Sequence, residues 1–147
     1  MRVIFLILIG FSSLSFAEFS KQNGVVYDSI TKLEWQDDYS DNYGDVRVAT
    51  WQYAIDYCEA LSLDGGGWRL PNIRALESLV DDTKCNPSIN AIFEFTSSGH
   101  YWSSTSAFSA DSNKHSAWIV HFDIGNVSIR VKDNFFGNDV RCVRAGE

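Results

Sequence analysis

An aromatic pair followed by hydroxyl side chains, at residues 101–105, is the stretch with the clearest chemistry for holding a ligand. Aromatic faces stack on the apolar faces of pyranose rings, and hydroxyl groups form hydrogen bonds with the ring edges. The stretch therefore predicts a sugar-binding platform. Its binding residues would be Tyr101, Trp102, Ser103 and Ser104. The alternative is that Trp102 is a core residue, and the sequence leaves both interpretations open.

Two polar segments further along the chain extend this predicted recognition surface. One is the loop 106–114, and the other is the approach to the last strand at residues 134–139. Binding residues concentrate on loops that a rigid scaffold holds in place. The candidate ligand groups are Asp111, Asn113, Asn138 and Asp139. The alternative for each is a solvated connection.

The sequence predicts no cofactor, and calcium is the one alternative that it leaves open. Asp37, Asp41 and Asp45 recur every fourth residue in an acidic loop, and Asp139 is a further candidate ligand. Calcium takes carboxylate and carbonyl oxygens, but an EF-hand loop places its ligands at alternate residues, which this loop does not. The alternative is again a solvated loop.

Composition and histidine placement argue against two classes of function. The chain has 19 acidic and 12 basic residues, a formal net charge of −7, and no Lys/Arg cluster, so nucleic acid is not an expected partner. His100, His115 and His121 have no Ser or Cys at motif spacing, and no H-x-x-x-H occurs. We therefore expect neither a catalytic triad nor zinc catalysis, and we expect no enzyme.

Residues 1–17 have the features of a secretory signal peptide. A single Arg precedes an apolar run, and Ser15-Phe16-Ala17 forms a small-x-small cleavage site. We expect residues 18–147 to form one exported domain that is periplasmic, cell-surface or secreted. The sequence has no apolar stretch near the roughly 20 residues of a membrane span, so none is expected.

An odd number of cysteines accompanies this export signal. In an oxidising compartment, Cys58, Cys85 and Cys142 predict one disulfide and one remaining thiol. We favour Cys58 with Cys142, which would join a predicted helix to the last predicted strand. A zinc site is the rival, but none of the three has a Cys or His at ligand spacing.

The elements that would position these groups form an α+β domain, with two helices packed on short antiparallel strands. The first helix is predicted over residues 50–63, and the second begins at Asn72, an N-cap residue, and runs to Asp82. Alternating residues predict the strands 23–28, 32–36, 100–105, 116–123, 126–132 and 139–144. The predicted core contains Trp68, Leu70, Leu76, Leu79, Trp118, Val120 and Val140. Trp118 is included because it alternates with Val120 and Phe122.

Motifs along nearly the whole expected domain resemble the Lcl C-terminal domain family. They include Leu33-Glu34-Trp35-Gln36, Trp68-Arg69-Leu70-Pro71, Tyr101-Trp102-Ser103-Ser104-Thr105 and Val140-Arg141-Cys142-Val143-Arg144. The resemblance implies a C-type-lectin-like fold and a disulfide from helix to last strand. It also implies ligand binding or adhesion at the bacterial surface, since the family's functionally named members are adhesin tips that bind host glycans.

Three functions follow as hypotheses. The first is an exported ligand-binding domain whose partner is an extracellular or envelope glycan or protein, and the second is a structural envelope or pilus-associated domain. The third is an enzyme of the formylglycine-generating group, which the chain resembles more distantly. That group needs a reactive cysteine pair in the later strands, yet there is no cysteine between Asn86 and Arg141. The oligomeric state is left open.

Overall fold

The computed structural model describes residues 18–108 and 115–146. The predicted signal peptide, Asp111 and Asn113 lie outside these residues. Within them the chain is mixed α and β, with two short α-helices and mostly sheet, which agrees with the predicted α+β class. No helix in the described part of the chain combines the length and apolar character needed to cross a bilayer.

The first sheet is antiparallel and brings the two ends of the domain together. It contains β1 (Phe19–Gln22), β2 (Val25–Asp28), β3 (Leu33–Gln36) and β9 (Val143–Ala145), in the order β1-β2-β3-β9. The predicted hairpin is confirmed, with Val25 opposite Gln36. Strand β1 was not predicted. It joins β2 through Asn23 and Gly24, which both have positive φ (50° and 75°), as a two-residue hairpin turn requires.

The second sheet holds the later strands. It contains β4 (Val48–Ala49), β5 (His100–Ala107), β6 (Ser116–His121), β7 (Asn126–Val131) and β8 (Asn138–Asp139), in the order β4-β8-β5-β6-β7. Strand β8 is antiparallel to β4 and parallel to β5. The prediction of a single last strand at 139–144 is therefore wrong, because this segment contributes to β8 in the second sheet and to β9 in the first sheet. Residues 140–142 cross between the sheets and are buried.

Both helices are shorter than predicted. Helix α1 is Trp51–Ala60 and buries Ala54 and Cys58. Helix α2 is Ile73–Glu77, and its predicted cap is confirmed, since the Asn72 Oδ1 accepts a hydrogen bond from the Ala75 amide at 2.9 Å. The chain leaves α2 early because Val80 pairs with Ile89 in an isolated β-bridge.

Two hydrophobic clusters form the core. One includes α1, Trp68, Trp102 and Ile119, and the other includes Leu76, Val120 and Phe122. The core prediction is confirmed except for Trp118, which is 37% exposed. Trp118 shares a face with Val120, as predicted. It lies opposite Ile129 of β7, which is itself 43% exposed, and it does not belong to the cluster that contains Leu76 of α2 and Val120.

The predicted disulfide is confirmed. All three cysteines are among the described residues; Cys58 is bonded to Cys142, with Cα atoms 5.4 Å apart, and Cys85 is an exposed free thiol. The bond ties the inner face of α1 to the segment that crosses between the sheets. Helix α1 is thereby fixed to the rest of the domain at its buried side, which leaves its other side to face outward.

Candidate ligand-binding cleft

An open cleft with aromatic walls lies beside β4, and we call it the aromatic cleft. It has a volume of about 540 Å³. Three parts of the chain line it: Arg47 with β4, the outer face of α1, and a turn that precedes β8. Its most exposed side chains are aromatic, so its chemistry is set by ring faces and a few polar groups around them.

Helix α1 supplies one wall because its two sides have different compositions. Thr50, Tyr53 and Tyr57 are spaced three and four residues apart and so fall on one face, which lines the cleft. Ala54 and Cys58 lie on the buried side. Tyr53 is 72% exposed. The same helix therefore anchors itself to the core and presents an aromatic ring to solvent.

The opposite wall is the turn at residues 134–137, and its place depends on Gly137. Gly137 has φ of +67°, and a Cβ atom there would lie 2.7 Å from the carbonyl oxygen of Ala49. Only glycine allows so close an approach to β4 in this conformation. The Asn134 side chain closes the turn by donating to the Gly137 carbonyl oxygen at 3.1 Å. The turn therefore packs closely against β4 because Gly137 has no side chain, and the hydrogen bond between Asn134 and Gly137 closes the turn.

Phe135 and Phe136 project from this turn into solvent. They are 90% and 84% exposed, and their ring centroids lie 5.8 Å apart with an interplanar angle of 82°. Aromatic side chains that stay this exposed add no burial free energy to folding. Exposed apolar clusters of this kind mark interaction sites. Together with Tyr53 they make the cleft the candidate binding site.

A polar group of three side chains borders the cleft. Tyr57 accepts a hydrogen bond from Gln36 Nε2 at 2.7 Å and its hydroxyl donates to Asp41 Oδ1 at 3.3 Å. Arg47 lies over the Tyr57 ring at 5.2 Å and pairs with Asp41 at 3.4 Å. Burial raises the pKa of Tyr57 to about 12, so its phenol stays protonated at neutral pH.

The family model described as "Lcl C-terminal domain" matches residues 24–144. The chain belongs to the Lcl C-terminal domain family. The match includes α1, β4 and the turn at 134–137, so the aromatic cleft lies wholly within the family domain. Searches of curated proteins and of solved structures found no match. The C-type-lectin-like fold stays a prediction from the resemblance.

In this Lcl C-terminal domain, the predicted platform at residues 101–105 lies beneath the cleft. Tyr101, Trp102 and Ser103 have no exposed surface. Trp102 Nε1 donates to the carbonyl oxygen of Ala49 at 2.8 Å, and Ser103 Oγ donates to that of Trp118 at 2.7 Å. Their rings are packed and the indole N–H and the Ser103 hydroxyl form backbone hydrogen bonds, which agrees with the alternative that Trp102 is a core residue and not with a surface platform. Ser104 is half-buried.

The candidates near the last strand occupy β8, next to the cleft. Asn138 is buried and Asp139 is half-buried. Ser97 Oγ donates to Asp139 Oδ2 at 2.5 Å. Burial raises the pKa of Asp139, and the bond from Ser97 and the charge of Arg141 partly offset this effect. Asp139 therefore has a structural partner, while Asp111 and Asn113 fall in the part of the chain that is not described.

The candidate calcium ligands of the loop 37–45 do not form one site. Asp37 is buried, pairs with Lys21 at 2.7 Å and with Arg141 at 3.6 Å, and accepts hydrogen bonds from the amides of Glu94 and Phe95. These partners already satisfy the carboxylate of Asp37, which leaves calcium binding by this residue without structural support. Asp41 pairs with Arg47, and Asp45 is exposed. Over residues 18–108 and 115–146, no three acidic, His or Cys side chains are grouped to hold a metal ion.

The recognition surface predicted from the sequence includes one wall of the cleft and omits the other. The segment 134–139 was predicted as part of the recognition surface, and the structure places Phe135 and Phe136 on the cleft. Tyr53 and Val48 were not considered. A signal for Tyr53 was present, since it lies off the apolar stripe of α1 and an aromatic side chain there must face outward.

Proposed function

We propose that this Lcl C-terminal domain is an exported module that binds a glycan in the aromatic cleft without covalent chemistry. The observation that carries the proposal is the meeting of three exposed rings, Tyr53, Phe135 and Phe136, in one cleft of about 540 Å³. This volume lies within the range of small-ligand sites. Ring faces suit the apolar faces of sugars, and Thr50 and Asp56 add hydrogen-bonding groups beside them.

Binding without catalysis is supported by the state of the titratable groups around the cleft. Arg47, Asp41 and Tyr57 are bonded to one another, and a phenol with a pKa of about 12 is a poor general acid or base at neutral pH. Such a group of side chains stabilises the wall of a site. Export is supported by the signal-peptide pattern of residues 1–17 and by the disulfide, which is typical of oxidising compartments.

A glycan array with residues 18–147 tests the proposal. We expect binding to at least one glycan class, and a loss of about tenfold or more in affinity for Tyr53→Ala and for Phe136→Ala, as aromatic contacts in a binding site usually give. Tyr43→Ala is the matched control, because Tyr43 is 99% exposed but does not line the cleft. Its binding should equal that of the parent.

Two results would overturn the proposal. If Tyr53→Ala and Phe136→Ala bind like the parent, the ligand lies elsewhere. If the folded domain binds no glycan on the array, the structural envelope hypothesis replaces glycan binding.

A further inference from the structure

The lining of the aromatic cleft includes one carboxylate that has no ion-pair partner within residues 18–108 and 115–146. Among its lining residues, Arg47 and Asp56 are the two with formal charge. The charge of Arg47 is offset by Asp41, 3.4 Å away. Asp56 accepts a hydrogen bond from Gln52 at 2.9 Å, and it takes part in none of the ion pairs formed within residues 18–108 and 115–146. The uncompensated charge that faces the cleft is therefore the carboxylate of Asp56.

Arg47 lies over the Tyr57 ring, but the three most exposed rings of the cleft, Tyr53, Phe135 and Phe136, have no such cation among the described residues. Elsewhere this protein places cations over aromatic rings: Lys132 lies 3.6 Å from the Trp51 ring centroid, and Arg144 lies 4.6 Å from that of Trp68. The cation–π pairs in the described part of the chain do not include Tyr53, Phe135 or Phe136. A cation within about 6 Å of an aromatic face is attracted by the ring quadrupole, and most strongly when a carboxylate lies nearby.

We infer that the glycan bound in the aromatic cleft carries free, protonated amino groups. The ammonium group of an amino sugar satisfies both observations, because it can approach a ring face while it pairs with Asp56. This inference rests on the proposed function and narrows its ligand class. A sulfated glycan is the wrong partner, since its anions would meet Asp56 on a chain with a net charge of −7.

The test compares three oligosaccharides by calorimetric titration at about pH 6 and low salt, where a sugar amine is protonated. They are a trisaccharide of β-1,4-linked glucosamine, its fully N-acetylated form, and a heparin-derived oligosaccharide. The first two share a backbone and differ in charge. We expect the glucosamine trisaccharide to bind at least about tenfold tighter than the other two, and to weaken as salt is added.

Charge-removing variants locate the effect. Asp56→Asn should lower the affinity for the glucosamine trisaccharide about five- to tenfold, with little change for the N-acetylated form. Asp82→Asn is the matched control, since Asp82 is exposed and lies outside the cleft. It should bind both sugars like the parent.

The outcomes separate the inference from the proposed function. Equal or tighter binding of the N-acetylated form, or tightest binding of the heparin oligosaccharide, overturns the inference and leaves glycan binding intact. The same holds if none of the three binds but the array finds another glycan. If the array also finds none, both fail. An unchanged affinity in Asp56→Asn overturns the role of Asp56.

Discussion

Two loops of this protein have similar compositions and opposite uses. Residues 37–45 (DDYSDNYGD) and 133–139 (DNFFGND) each combine aspartates, asparagine, glycine and two aromatic residues. In the first loop Asp37 and Tyr39 are buried, whereas in the second Phe135 and Phe136 are the exposed walls of the aromatic cleft. Composition alone therefore does not decide which loop offers a ligand site.

The difference lies in the partners that each loop finds. Asp37 is held by Lys21, Arg141 and two backbone amides, and Tyr39 donates its hydroxyl hydrogen bond to the Val140 carbonyl oxygen, 101 residues away, at 2.9 Å. The second loop closes on itself through Asn134 and Gly137. Distant contacts bury Asp37 and Tyr39 of the first loop, although Tyr43 stays exposed, and the local closure of the turn at 134–137 leaves the rings of Phe135 and Phe136 free for a ligand.

Removing the buried carboxylate of the first loop should have the largest effect. Asp37→Ala removes the ion-pair partner of the buried Arg141, and we expect it to lower the free energy of unfolding by about 3 to 5 kcal/mol. Urea denaturation measures this loss. Asp45→Ala, at an exposed aspartate of the same loop, should change stability by less than about 0.5 kcal/mol. Equal effects of the two variants would contradict the claim that the distant partners of Asp37 hold the first loop in place.

The disulfide supports the wall that α1 contributes to the cleft. The double variant Cys58→Ala/Cys142→Ala should lower the free energy of unfolding by about 2 to 5 kcal/mol, because the unfolded chain regains the freedom of a long loop. Cys85→Ala is the control, since that thiol is exposed and unbonded among the described residues. Denaturation midpoints that fall equally in both variants would show that the bond adds no stability.

Gly137 tests whether the second loop depends on its contact with β4. Gly137→Ala combines a strained positive φ with a clash against the Ala49 backbone, and we expect a loss of about 2 to 4 kcal/mol together with weaker glycan binding. Gly65→Ala is the matched control: Gly65 has φ of +95° but nothing within 4 Å of an added Cβ. A loss as large in Gly65→Ala would mean that backbone strain alone matters.

Substitution of one aromatic residue in each loop should give the smallest difference in the free energy of unfolding. Tyr39→Phe removes a buried hydrogen bond and leaves the Val140 carbonyl without it, so we expect a loss of about 1 to 2 kcal/mol. Phe136→Ala removes a ring that is mostly in water and should change stability by less than about 0.5 kcal/mol. Thermal unfolding of both variants checks the difference, and a larger loss for Phe136→Ala would show that its ring packs in solution.

Local sequence patterns predicted much of the fold. The features that they failed to predict depend on contacts between residues far apart in the chain. The Asn72 cap, the β2–β3 hairpin and the Cys58–Cys142 bond depend on neighbouring residues or on compartment, and all three are confirmed. The division of the last strand between two sheets and the exposure of Trp118 depend on which distant element covers each face. Alternation along a strand carries no such information.

The candidate site likewise has one part that local sequence signals predicted and another that long-range contacts determine. The predicted recognition segment 134–139 contains the two phenylalanines that line one wall of the cleft, although the predicted ligand groups in it were Asn138 and Asp139. The burial of Trp102 could not be read from its hydroxyl-rich neighbours, because its place is set by a hydrogen bond to Ala49, 53 residues earlier. The acidic sequence around Asp37 does not reveal its burial for the same reason, since its partner Arg141 lies at the far end of the chain.

The most direct test of the account is thermal unfolding of the parent and of Phe136→Ala with and without the tightest glycan from the array. At a ligand concentration about 100 times Kd, binding should stabilise the parent by about 2.7 kcal/mol and raise its Tm by several degrees. Phe136→Ala should unfold near the parent's Tm without glycan, and a tenfold loss of affinity should limit its gain at the same glycan concentration to about 1.4 kcal/mol, about half of the parent's rise. An equal rise in both proteins would contradict the claim that the exposed loop, and not the buried one, holds the ligand.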